Sequence, residues 1–191
     1  MNTALEQLAV QLGLHAPANE PLRLRFGHAC SVRVRHLLER PEVEQCLDEL
    51  GAAVACAGTI HNLDELRANA ARLANQHQGS KSIDGCGHAA VSATYAVANA
   101  VAGKVLEAAS YAAYAAVYAS GGYAAVGERE AFEPEFNWQV QTLRDLAQPC
   151  HAFAQHAAVA ARALKMHHHQ PGGLPCQAPG ITAFAAAAQT M

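Results

Sequence analysis

Apolar residues recur every three or four positions along most of this chain, the spacing that gives an α-helix one hydrophobic face. Leu5, Leu8 and Leu12 open the pattern, and Gly13 with Pro17 closes it. Thr3 followed by Glu6 has the form of a capping box, in which hydroxyl and carboxylate satisfy the first turn of a helix. Residues 21–36 admit two readings. LRLRF and SVRVR alternate with period two, as the strands of a hairpin would. Leu22, Phe26, Cys30, Val34 and Leu38 instead recur at i+4, and this stripe favours a helix. Its other surface carries Arg23, Arg25, Arg33, Arg35 and Arg40.

Pro41 suits the first turn of a further helix, where its missing N–H costs nothing. Val43, Leu47, Leu50 and Val54 form the stripe of that helix, and Gly58 ends it. Asn62 with Glu65 repeats the capping-box form ahead of Leu63, Leu66, Ala70 and Leu73. This helix is predicted to end near His77, before the polar loop GSKSIDG. Residues 88–119 are rich in alanine, the strongest helix former, with Gly103 marking a break between two helices. Tyr111, Tyr114 and Tyr118 share one helix face. They are predicted to fill the core that alanine cannot; a stacking surface for an aromatic ligand is the alternative. Phe136, Val140, Leu143 and Ala147 form a late helical stripe with Trp138 beside it, and residues 150–166 suit one more alanine-rich helix. The pattern predicts an all-α fold, an antiparallel helical bundle or short helical solenoid of about six or seven helices. It occupies residues 1–166, with residues 167–191 as a flexible C-terminal tail rich in Pro, Gly and alanine.

Composition narrows the function. Hydrophobic types make up 51% of the 191 residues, but 44 of the residues are alanine, which has little area to bury. A net charge of −3 argues against nucleic acid as a partner. The uncharged run between Glu107 and Glu128 has the length of a membrane span but no Leu, Ile or Phe, and Gly121-Gly122 interrupts it. No membrane segment is expected. The six cysteines are widely spaced with no CxxC pair, and Met1–Gly13 does not read as a secretory signal. Reduced, mostly buried cysteines in a cytoplasmic protein follow from this.

Candidate chemistry is sparse. Eleven histidines are many, but none falls at the tight spacing of a zinc site, so neither a metal nor a cofactor is expected. The loop GSKSIDGCGH precedes a long helix, and backbone N–H groups at such a junction can hold an anion. Asp84, Gly85, Gly87 and His88 are therefore the candidate ligand or anion contacts, although Ser82 or Asp84 also serves simply as a helix cap. Asp84 and His88, joined by His61, are the residues that a metal-dependent or His/Asp-based hydrolase would use. Charge is segregated, with Arg33 and Arg35 in a basic stretch and Glu128, Glu130, Glu133 and Glu135 in an acidic one. Ordinary intramolecular pairing explains such patches; a partner-binding face is the functional alternative.

The order of three segments suggests a family. HACSVRVRHLLERPEVEQCLDELGAAVACAG is followed by GHAAVSATYAVANAVAGKVLEAASYAAYAAVYA and then by FNWQVQTL. Across residues 24–146 this resembles the alanine-rich, all-helical bacterial immunity proteins. Cys30, the GHAA of 87–90 and Trp138-Gln139 stand where that family has a Cys-containing helix, an AGHA-like tract and a late Trp-Gln. The first 20 residues, the long basic helix, GSKSIDG and the tail after Pro149 depart from the family pattern. The resemblance implies a protein that neutralises a cognate toxin by occlusion, without catalysis. Besides the hydrolase, a helical sensor for a small ligand and self-association into a homo-oligomer remain open.

Overall fold

Helix-forming composition and the i+3/i+4 stripes are realised almost throughout. The computed structural model describes residues 2–55, 62–77 and 86–148. Seven α-helices and three short 3-10 turns make up these residues, with no strand among them. They are α1 (Thr3–Gln11), α2 (Glu20–Arg33), α3 (Pro41–Ala55), α4 (Leu63–Gln76), α5 (Cys86–Val101), α6 (Val105–Val126) and α7 (Glu133–Ala147). The fold is an all-α helical bundle, and no helix among the described residues is long and apolar enough to cross a membrane. One unit spans Met1–Pro149. The expected helix over 150–166, the boundary at 166 and the tail at 167–191 lie outside the described residues, as do Gly58 and all of GSKSIDG.

Residues 21–36 are helical rather than a hairpin, as α2 to Arg33 and then as part of a 3-10 turn at Arg35–Leu37. In α2, Phe26 and Cys30 are buried, Val34 is buried just beyond it, and Leu22 and Leu38 are partly buried. α5 and α6 form the most extensive interface, folded back on one another through the short turn at Gly103. Ala93, Ala96, Ala100, Ala109 and Ala112 are all buried, and Ala116 packs at the edge. Small side chains let backbones approach, and α2 uses the same device against α5. A Cβ built on Gly27 would lie 3.0 Å from both the Cα and the Cβ of Ala100.

Two large hydrophobic centres result, beside a small third one at Ala113, Val117 and Phe132. One joins α1, α2, α5, α6 and α7 around Leu5, Phe26, Cys30, Ala96 and Leu143. The other joins α2, α3, α4, α5 and α6 around Leu47, Leu50, Leu73, Val97 and Ala108. Between α2 and α3, the His28 ring sits against Gly51, where an added Cβ would come 2.7 Å from its Nε2. Burial is the main cause that lowers the His28 pKa below its ordinary value; Asp48 acts against it and Arg35 with it.

Both expected capping boxes are corrected. Asn2, one residue before Thr3, caps α1, its Oδ1 accepting from the Leu5 N–H at 3.2 Å. Asn62 precedes α4 in a left-handed conformation (φ 92°), and its side chain makes no capping bond. The acidic stretch is also more ordered than a loop. It forms a 3-10 turn at Arg129–Phe132 and the first turn of α7, where Glu133 and Glu135 meet the positive end of the helix dipole.

Candidate functional site

The tyrosines on α6 are not core. The inward surfaces of α6 are alanine and valine, with Ala108, Ala109, Ala112, Ala113, Ala115 and Val117 buried. Tyr111 and Tyr114 occupy the remaining side, 37% and 39% exposed, and Tyr118 is half-buried. They belong to two groups of rings, a Tyr111–Tyr95 pair and a run from Phe136 through Phe132, Tyr114 and Tyr118 to Tyr123 and His88. Tyr111 stacks on Tyr95 of α5 with centroids 5.2 Å apart. Tyr114 meets Phe132 edge-on at 5.1 Å, and Phe132 stacks on Phe136 at 5.5 Å. At the far end, Tyr118 and Tyr123 enclose the His88 ring at 5.5 and 5.0 Å. Gly122 makes this end possible. Its φ of 61° and ψ of −151° kink α6 in a region that only glycine enters freely.

A cleft runs along this array where α1, α6 and α7 meet. Its main hollow, about 490 Å³, is walled by Leu5 and Glu6 of α1, by Leu106, Glu107, Ser110, Tyr111 and Tyr114 of α6, and by Phe136 of α7. His15 stands at the same hollow. A second hollow of about 430 Å³ shares Ser110, Tyr114 and Phe136 with the first and continues to Thr3, Arg129 and Phe132. Gln139 closes the base and is 1% exposed. Its Nε2 donates to the Ala109 carbonyl at 2.8 Å, and its Oε1 accepts from Asn2 Nδ2 at 3.1 Å. Asn2 Nδ2 also donates to the Phe136 carbonyl at 3.0 Å. These bonds tie the three helices together beneath the rings. Volume, aromatic lining and a few fixed polar groups are the properties of a site for a small organic molecule.

The residues singled out from the sequence fall elsewhere. Asp84, Gly85 and His61 lie outside the described residues. Gly87 is buried in the first turn of α5, and His88 is held by the tyrosines. Among the described residues no three His, Cys, Asp or Glu side chains converge on a common point. The basic and acidic patches pair with each other in part. Arg33 Nε donates to both Glu135 oxygens, at 2.7 and 2.9 Å, while its guanidinium lies 4.6 Å from the Trp138 ring centre. Arg35 donates to both Asp48 oxygens, at 2.6 and 3.0 Å, and lies 3.6 Å from Glu44. Glu128, Glu130 and Glu133 are exposed and make no ion pair with the described residues.

Cys30 and Cys46 are buried and unbridged. Burial, aided by nearby Glu135, pushes the Cys30 thiol well above its ordinary range, and burial likewise raises Cys46. Both thiols stay protonated at neutral pH and pack as apolar groups rather than acting as nucleophiles. Cys56, Cys150 and Cys176 lie outside the described residues.

What fold and cleft define together is an all-α bundle with an aromatic groove between its first, sixth and seventh helices. No family model, curated protein or solved structure matches the chain.

Proposed function

We propose that this chain is a binding protein that holds a small organic ligand in the cleft between α1, α6 and α7. The observation that carries this reading is the hollow of about 490 Å³ walled by Tyr111, Tyr114 and Phe136 over the buried Gln139. Rings left exposed beside a helix rich in buried alanine are apolar surface available to a ligand. Nile red, an uncharged apolar dye, tests it. The wild-type chain is expected to bind one dye per chain with a rise in fluorescence. Ser110→Trp, which fills the space common to both hollows, should abolish that rise while leaving the helical CD spectrum intact. Equal dye binding by the two chains would overturn the assignment of the cleft.

A second reading is the immunity-type protein that occludes a cognate toxin. The likeness across residues 24–146 supports it, and so does the exposed trio Glu128, Glu130 and Glu133 near the aromatic array. In this reading the acidic residues and exposed tyrosines form the docking face, since tyrosine is enriched where binding energy concentrates. Arg33, Arg35 and Glu135 contribute less to it, because their charges are already paired within the chain.

A further inference from the structure

We propose that the cleft selects organic cations, specifically an amine carried on a short apolar or aromatic body. The proposal rests on the reading of the cleft as a ligand site and adds the charge of what it takes. Two carboxylates from different helices, Glu6 of α1 and Glu107 of α6, line the main hollow. Neither forms an ion pair with the described residues. Among the described residues no lysine or arginine lines this hollow, and His15 is the one basic side chain. Tyr111, Tyr114 and Phe136 line the same hollow, and an aromatic ring attracts a cation over its face.

The chemistry is complementary in both parts. An ammonium group placed between the carboxylates and the rings gains ion-pair and cation–π attraction, while its apolar body covers Leu5, Leu106 and the ring surfaces. In the main hollow an anion of the same shape meets two carboxylates, and Arg129 lines only the adjoining hollow among the described residues. A neutral molecule gains only the apolar contact. Preference for the cation therefore comes from Glu6 and Glu107, and the apolar part of the affinity from the rings.

Three molecules with one skeleton separate these contributions: 4-phenylbutylamine, 4-phenylbutanol and 4-phenylbutyrate. Titrations of the full chain by calorimetry, at one pH and one ionic strength, compare the three. The amine is expected to bind about tenfold more tightly than the alcohol, with the butyrate weakest. Glu6→Gln and Glu107→Gln should each narrow the preference for amine to about threefold and leave the affinity for the alcohol unchanged. Ser110→Trp should abolish binding of all three. Equal affinity for amine and alcohol, or tightest binding of the butyrate, would overturn the cation selectivity and leave the ligand cleft standing. Absence of binding by all three would overturn both.

Discussion

Phe26→Ala is expected to destabilise the domain by about 3–5 kcal/mol, the upper end for core truncations. Phe26 is 0% exposed and belongs to the first hydrophobic centre, together with Cys30, Ala93, Ala96, Ala109 and several leucines and valines. The cost of such a change depends on how far the surroundings relax into the space. Nearly half of the buried members of that centre are alanines, which have no side-chain torsion with which to fill a void. The helix backbones would have to move, and they are already close at the Gly27–Ala100 crossing. Urea unfolding followed by CD measures the loss directly. A loss below about 1 kcal/mol would place Phe26 outside the principal core, because that is the range of ordinary partly exposed positions.

The second large effect comes from adding volume. Ala96→Leu on α5 and Ala112→Leu on α6 should each cost about 1–3 kcal/mol, because a leucine there must separate the helices or take a strained rotamer. Both alanines are buried in the interface that contributes most to the bundle. Ala71→Leu, on the exposed side of α4, should fall within about 0.5 kcal/mol of wild type. Neutral outcomes at positions 96 and 112 would mean that α5 and α6 do not meet through their alanines. The tyrosine face would then lose the backing that holds it in place.

The helices were legible in the sequence because their signals are local. The i+4 stripe from Leu22 to Leu38, Pro41 at a first turn and the alanine tract at 88–119 each state a conformation within a few residues. The cap at Thr3 failed because Asn2 competes with it one position away and is also held by Gln139 and Phe136, more than 130 residues distant. The tyrosines misled for a related reason. On an ordinary helix the large apolar residues mark the buried side, so Tyr111, Tyr114 and Tyr118 read as core. On α6 the buried side is made of alanine, and the rings remain for the surface. Gln139 carried the opposite ambiguity, a polar residue within the α7 stripe whose burial depends on partners in α1 and α6. Charge segregation was visible along the chain, but the pairing of Arg33 with Glu135 spans 102 residues and has no local signature. The cleft draws on residues from position 2 to position 139, so no stretch of sequence contains it.

The central claim is that a ligand enters the groove between α1, α6 and α7, and a map of backbone amide shifts tests it most directly. The uncharged probe 4-phenylbutanol, added to the ¹⁵N-labelled full chain, should perturb amides around Leu5, Ser110, Tyr114, Phe136 and Gln139, and the pattern should vanish in Ser110→Trp. Shifts centred instead on the polar hollow at Asn62, Asn69 and Arg72, or persisting in Ser110→Trp, would contradict the account.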